Sequence, residues 1–146
     1  MAGSRRNHSA RRGQAVVEFA LVLPIFLLLL FGAVEFGRAY LTVHILTNAA
    51  REGARTGSMP GNDEQDVAAT VSDFLQGTGM DPNDCTTTVQ VTDEQGAPRE
   101  GGLANARQGD RVWVRVQYDF QVLTGNLIPG FQGTVPLRAT CVFRHE

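Results

Sequence analysis

The residues of this sequence that could support chemistry are few and far apart. Side chains suited to nucleophilic catalysis, phosphate binding or metal binding do not occur at the spacings that those functions need. The three histidines, His8, His44 and His145, fall in separate regions, so a shared metal site is not expected. The acidic residues fall in predicted helix caps and loops. The sequence therefore predicts a protein that is not an enzyme and has no cofactor or metal.

One carboxylate is unusual because of its position. Residues 15–34 form a stretch of twenty positions in which the only ionisable side chain is that of Glu18. An ionisable group inside an apolar segment is costly and is therefore a candidate functional group. The alternative is a glutamate in the first turn of a helix near the membrane surface, where the helix dipole favours a negative charge. The position alone leaves both interpretations open.

The apolar stretch around Glu18 is long enough to span a bilayer. Twenty helical residues extend about 30 Å, the thickness of the hydrocarbon core. The stretch lacks the polar residues at every third or fourth position that mark an amphipathic soluble helix. Under the positive-inside rule, the arginines before it place the N-terminus in the cytoplasm and residues after about 36 outside the cytoplasmic membrane. These arginines are Arg5, Arg6, Arg11 and Arg12.

The charge distribution argues against two other classes of protein. Residues 1–13 carry a charge of +4, whereas nine arginines and fifteen acids give the remainder −6. A nucleic-acid-binding protein would spread its basic residues over a folded face, so nucleic acid is not expected as a partner. A cleaved secretory signal is a weaker alternative, since the apolar run is long and Glu35 and Arg38 occupy the region of a cleavage site.

The string R-R-G-Q-A-V-V-E-F, which ends at Phe19, resembles the processing site of type IV pilins and pseudopilins. In these proteins a membrane aspartic peptidase, the prepilin peptidase, cuts after the glycine and leaves a glutamate at the fifth mature position. The resemblance implies cleavage between Gly13 and Gln14. Glu18 of one subunit would then pair with the new α-amine of a neighbour and set the register of assembly, because an unpaired carboxylate is unfavourable in low dielectric.

Gln14 departs from the best-known pilins, which usually have a methylated phenylalanine at the first mature position. An N-terminal glutamine can cyclise to pyroglutamate, and cyclisation would remove the positive charge that Glu18 is expected to meet. We therefore expect assembly to require the uncyclised amine of Gln14.

A second string, N-A-A-R-E-G-A-R-T-G at residues 48–57, resembles the segment after the membrane helix in TadE-like proteins, minor pseudopilins of tight-adherence, type IVb-like pili. The pair Glu18-Phe19 and a C-terminal R-x-E at residues 144–146 extend the resemblance. It implies a single-pass subunit of the pilus whose partners are the lipid bilayer, the prepilin peptidase, other pilin and pseudopilin subunits and the assembly machinery. The alternative is an unprocessed single-pass protein that scaffolds a secretion or adhesion apparatus.

The pattern predicts three regions: a basic cytoplasmic leader at 1–13, a transmembrane and extended helix at 14–57, and an extracytoplasmic domain at 58–146. Apolar residues continue at helical spacing past Val34, and the helix is expected to stop at Gly57. Arg51 and Arg55 lie on one face of it beside Glu52. They indicate either a solvated basic stripe or, less strongly, a site for a phosphate or a partner carboxylate.

The predicted fold class is α+β, with the long helix followed by a short second helix and an antiparallel sheet. Asn62 is the expected N-cap of the second helix, with Gln65 at the capping-box position. The apolar stripe of that helix consists of Val67, Val71, Phe74 and Leu75. Strands are predicted at 85–92, 111–122 and 134–144, where apolar and polar residues alternate. The loop tip at 127–131 is unusually apolar, which predicts packing over the core or contact with a partner.

Two cysteines, Cys85 and Cys141, share the parity of the apolar residues on the first and third predicted strands. An even pair in an exported domain predicts a disulfide, which requires those two strands to be close. The alternative is two buried free thiols.

Overall fold

The structure is a computed structural model that describes residues 7–123, 125 and 133–146, with the backbone alone for residues 7–12. The chain divides into two compact units, Met1–Gly37 and Arg38–Glu146. The apolar loop tip predicted at 127–131 lies outside the described residues, as do Arg5 and Arg6 of the leader. The helices and strands are α1 (Asn7–Ser58), α2 (Glu64–Gly77), β1 (Cys85–Thr92), β2 (Arg111–Gln121) and β3 (Thr134–Arg144), with 3₁₀ helices at Pro82–Asp84 and Gly102–Asn105.

Helix α1 begins earlier than the sequence pattern predicts. It starts at Asn7 rather than Gln14, so the second half of the basic leader is helical, and it ends at Ser58, close to the predicted stop. The extension has a simple cause, since Ala10, Arg11 and Arg12 are good helix formers and residues 7–13 contain no proline. Pro24 lies inside the helix.

Helix α2 is capped one residue later than predicted. The side chain of Asp63 accepts hydrogen bonds from the backbone N–H groups of Gln65 and Asp66, and the side chain of Asp66 accepts one from the backbone of Asp63. Asn62, the predicted cap, instead donates through Nδ2 to the carbonyl oxygen of Thr56 at 2.8 Å. A carboxylate accepts two N–H donors at once, so Asp63 completes a capping box and Asn62 is free to tie α2 to the end of α1.

The three strands form an antiparallel sheet in the order β1-β2-β3. Strand β2 alternates between buried and exposed side chains along most of its length, as the sequence pattern predicts. Its buried face carries Val112, Val114 and Val116, which lie against the end of α1 and against α2. The α+β class and the three predicted strands are therefore confirmed.

One hydrophobic core fills the space between the helices and the sheet. Helix α1 contributes small residues and one leucine to this core, and α2 contributes its predicted apolar stripe. The strands contribute mostly valines. The fully buried members of the core are Leu46, Ala49, Ala50, Ala54, Val67, Val112, Val114 and Val116.

A cation–π contact lies at the start of the unit Arg38–Glu146. The guanidinium of Arg38 stacks over the ring of Phe120, 5.0 Å from its centroid.

The strand order does not bring the two cysteines together. Both face the core, but β2 lies between their strands: Cys85 is opposite Tyr118, whereas Cys141 is opposite Val114, four residues nearer the start of β2. Standard strand spacing and rise put their Cα atoms about 16 Å apart, far beyond the roughly 7 Å that a disulfide bridges. Both thiols are free. The predicted disulfide is therefore absent from this fold, and burial raises the pKa of the Cys85 thiol, aided by the charges of Asp84 and Asp81.

Candidate functional site

The predicted processing segment lies on the surface of α1. Gly13 and Gln14 are helical and exposed, and Glu18 follows one turn later. The side-chain amide of Gln14 donates through Nε2 to Oε1 of Glu18 at 3.1 Å. A neutral amide satisfies one lone pair of the carboxylate and leaves its charge uncompensated. The geometry therefore holds the carboxylate on the helix surface, where it is available to a cation from outside the chain.

The surface that surrounds Glu18 is apolar and open. Phe19 is 63% exposed and Leu21 is 70% exposed, and most large side chains from Val16 to Val34 resemble them. Among the described residues, one helix segment, Gly13–Ser58, is long and apolar enough to cross a membrane. Its most apolar part buries nothing within the chain, which is typical of a lipid-facing or subunit-facing helix rather than the core helix of a soluble protein.

The C-terminal part of α1 packs against α2 and the sheet with small residues. Ala49, Ala50 and Ala54 are fully buried. A Cβ added to Gly53 would lie 2.6 Å from Cγ2 of Val71, closer than any real contact. At Gly57 the added Cβ would lie 3.0 Å from Val112. These alanines and glycines, the small-residue face of α1, let the helix backbone approach α2 and the sheet closely.

Gly53 and Gly57 are packing residues that the sequence pattern did not predict. The signal for them is the recurrence of small residues at spacings of three and four between Ala49 and Gly57. The segment was notable for its resemblance to the TadE-like string and for the arginines Arg51 and Arg55. The structure supplies a physical reason for that string, since most of its small residues are those that lie against the core.

The basic stripe beside this face is partly neutralised within the chain. Nη2 of Arg55 lies 2.6 Å from Oε1 of Glu52, and its Nε also donates to that carboxylate. The hydrogen bond from Arg55 lowers the pKa of Glu52 below its usual value. The pair is well exposed, which favours the interpretation of a solvated stripe over a site for a phosphate or a partner carboxylate.

The C-terminal residues fasten the end of β3 to the end of α1. The backbone N–H of His145 donates to Asp110 O at 2.7 Å, and that of Glu146 donates to Ser58 O at 2.9 Å. The buried imidazole of His145 also donates through Nδ1 to Gly57 O at 3.2 Å. His145 therefore has a structural role, and among the described residues no group of His, Cys, Asp or Glu is placed to hold a metal ion.

A buried ion pair supports this junction. Nη2 of Arg99 lies 2.6 Å from Oδ1 of Asp110, Nε lies 2.9 Å from Oδ2, and the backbone N–H of Arg107 donates to the same carboxylate. The carboxylate of Asp110 is 3% exposed. The two residues are eleven apart and meet only because the intervening loop folds back, so the sequence offered no signal for the pair.

The Arg99–Asp110 pair predicts an acid-sensitive contribution to stability. The hydrogen bonds from Arg99 lower the pKa of Asp110, although its burial acts in the opposite direction. A lowered pKa in the folded state stabilises above the ordinary value near 4, and the contribution is lost as the pH falls through the lowered pKa. Asp110→Asn is expected to lower the thermal midpoint at neutral pH by at least about 5 °C and to flatten its decline in acid.

Thermal unfolding of the full chain in detergent, followed by Trp113 fluorescence between neutral pH and about pH 3, measures this effect. Asp73→Asn, at an exposed position of α2, is the matched control and should leave the midpoint unchanged. Equal pH profiles for the wild type and Asp110→Asn would contradict the role of the pair.

Comparison with known proteins adds one match. Residues 13–55 match a family model described as TadE-like protein. This is the family that the sequence strings resemble, and the matched residues include Gly13, Glu18 and Gly53. No curated protein and no solved structure matches the chain.

The match covers the apolar helix and the small-residue face except Gly57, and it ends before α2. It covers less than a third of the chain and shows a similarity of this helix to TadE-like proteins. Among the described residues, the one apolar helix fits a single-pass membrane protein.

Proposed function

We propose that the chain is a minor pseudopilin-like subunit that takes part in assembly of a tight-adherence pilus. Its leader is cytoplasmic, its helix spans the cytoplasmic membrane, and the domain after it is extracytoplasmic, in a position to enter the filament. The prepilin peptidase removes the leader after Gly13. The observation that carries the proposal is Glu18, an exposed carboxylate one helical turn beyond Gly13-Gln14 and at the start of an apolar helix that matches the TadE-like family.

Gly13 suits a scissile position for two physical reasons. A peptidase binds its substrate in an extended form, so the helix must unwind locally around residue 13. Glycine favours unwinding because it is about 1 kcal/mol less favourable than alanine in a helix interior. An added Cβ at Gly13 meets no atom within 4 Å, so the glycine is not required by packing. Glycine at this position lowers the cost of unwinding the helix, and its lack of a Cβ lets the peptidase approach the backbone closely.

Cleavage changes the charge that Glu18 encounters. It removes the four leader arginines and makes Gln14 the first residue of the helix, with a new α-amine beside backbone N–H groups that have lost their partners in the leader. In the bilayer a carboxylate without a cationic partner is unfavourable, so Glu18 of one subunit pairs with the amine of the next. That pairing sets the axial register, and cyclisation of Gln14 to pyroglutamate would prevent it.

The apolar surface of α1 determines the remaining partners. Before assembly it lies in lipid, and on assembly it packs against the apolar helices of other pilin and pseudopilin subunits. Neither partner requires specific polar contacts, because van der Waals packing and the rare buried charge govern helix association in such surroundings. Nucleic acid is not among the partners.

The experiment compares wild type with Glu18→Gln in cells that carry the pilus system and lack the chromosomal copy. Pili are sheared from the cells, and the chain is quantified in the sheared and membrane fractions. We expect wild type in the sheared filaments and roughly tenfold less of the variant, because an amide cannot form the ion pair. Glu35→Gln, on the same helix, is the matched control and should behave like wild type.

Two results would contradict the proposal. If Glu18→Gln and wild type enter the filaments in equal amounts, the pairing of Glu18 with a neighbour's α-amine does not set the register. If pili are abundant but the wild-type chain is found only in the membrane fraction, the chain would instead be an unprocessed single-pass protein that scaffolds a secretion or adhesion apparatus.

A further inference from the structure

The unit Arg38–Glu146 carries opposite charges on two opposite sides. The face of the sheet turned away from the helices presents four arginines on β2 and β3, against one strand carboxylate, Asp119. On the other side, residues 63–84, which form α2 and the 3₁₀ helix after it, contain six acids and no basic residue. Glu94, in the loop after β1, instead pairs with Arg144 of the sheet. The core between these sides is formed by one face of α2 and the inner face of the sheet, so the two charged surfaces point away from each other.

The outer surface of the sheet combines charge with an exposed aromatic ring. Its central residue is Trp113, the single tryptophan, which is 36% exposed and donates through Nε1 to Thr92 Oγ1 at 3.0 Å. Beside it, Nε of Arg115 donates to Thr140 Oγ1 at 3.3 Å. Tryptophan and arginine are the residues most enriched at the energetic centres of protein interfaces. The basic sheet face consists of Arg111, Trp113, Arg115, Arg138, Thr140 and Arg144.

The acidic surface is formed by α2 and the 3₁₀ helix after it. Asp66 and Asp73 lie two turns apart on the exposed side of α2, opposite the buried stripe. Asp81 and Asp84 lie at the 3₁₀ helix Pro82–Asp84, which packs against the end of α2. All four carboxylates are exposed. They form the acidic helix face.

We propose that the basic sheet face of one chain binds the acidic helix face of a second copy. The two faces lie on opposite sides of one core, so they cannot meet within a chain. The positive charges of one face complement the negative charges of the other. Such a contact is heterologous: each copy uses a different surface, and the end copies of a row keep one free face each. The association therefore continues as a row rather than closing as a two-fold dimer.

The area of the sheet face sets the expected strength of this contact. Strands β2 and β3, of 11 residues, extend about 37 Å and β1, of 8 residues, about 27 Å, and the three side by side span about 14 Å, so the contact covers on the order of 500 Å² on each partner. The total, about 1,000 Å², is near the lower limit for specific interfaces. The contact is therefore weak between dilute chains and becomes effective between copies anchored in one membrane. It does not require cleavage after Gly13, so its failure and that of the proposed function are distinguishable.

Complementary charge reversals test the contact in the full chain in detergent micelles. Variant A carries Arg115→Glu and Arg138→Glu on the basic sheet face, and variant B carries Asp73→Arg and Asp84→Arg on the acidic helix face. Association is measured by co-capture of two populations with different N-terminal tags at about 0.05 M and about 0.5 M NaCl. We expect wild type to associate at low salt, and A alone and B alone to associate at least about tenfold more weakly.

Mixing A with B should restore association, because each reversed face then meets a face of opposite charge. Restoration also shows that both variants are folded. Docking should in addition shield Trp113 from a soluble quencher in wild type at low salt. The proposal is overturned if wild type does not associate, if either variant alone associates like wild type, if the mixture does not recover, or if association is insensitive to salt and therefore due to α1.

Discussion

Gly53→Val is expected to lower the free energy of unfolding of the unit Arg38–Glu146 by about 3 kcal/mol or more. Even the first carbon of the new side chain would lie 2.6 Å from Cγ2 of Val71 and 3.3 Å from Cγ1 of Val114. Both valines are in the closely packed core, so α1 must move away from α2 and the sheet. A small domain is stabilised by about 5–15 kcal/mol, so this loss is a large share of the total.

Urea unfolding of the full chain in detergent, followed by Trp113 fluorescence, measures the loss. Gly53→Ala should show a smaller loss of about 1–3 kcal/mol, reduced in part by the better helix propensity of alanine. Gly77→Ala is the matched control at the end of α2, where an added Cβ meets no atom within 4 Å. It should leave stability unchanged or raise it by up to about 1 kcal/mol. An unchanged midpoint for Gly53→Val would show that the small-residue face is not closely packed.

Gly13→Ala is expected to retain the leader and to leave the sheared filaments almost free of the chain. Alanine strengthens the helix that the peptidase must unwind, by about 1 kcal/mol, and adds a Cβ at the scissile residue. The retained leader keeps its arginines at the cytoplasmic surface and leaves no α-amine for Glu18 to meet. The measurement is the molecular mass of the membrane-bound chain, together with its amount in sheared filaments.

Gly32→Ala is the control for this variant. Gly32 lies on the same helix, and an added Cβ there also meets no atom within 4 Å. It should be processed and incorporated like wild type. Normal processing of Gly13→Ala would mean that glycine is not required at the scissile position.

The secondary structure could be predicted from local pattern because each element has a strong and uniform signal. The apolar run that begins at Ala15 has no polar interruption except Glu18, and β2 alternates between valines and polar residues. Strand bounds at Cys85–Thr92 and Thr134–Arg144 agree with the prediction. Helix ends are less well determined by sequence: Asn62 and Asp63 are both good caps, and only the tertiary contact between Asn62 and Thr56 separates them.

The features that escaped prediction depend on which elements become neighbours. The parity of Cys85 and Cys141 correctly places both on the inner face of the sheet, but parity carries no information about strand order. The Arg99–Asp110 pair depends on a loop conformation in the same way. The charge of the acidic helix face is visible in the composition of residues 63–84, but its position opposite the basic sheet face required knowledge of which side each element occupies.

Processing after Gly13 can be tested on the N-terminus of the wild-type chain in its native membrane. Intact mass and the N-terminal peptide of the extracted protein give the result together. We expect a mature chain that begins at Gln14 with a free, uncyclised α-amine. A chain that still carries Arg11 and Arg12 would contradict the claim, and the pairing of Glu18 with a neighbour's amine would be excluded with it.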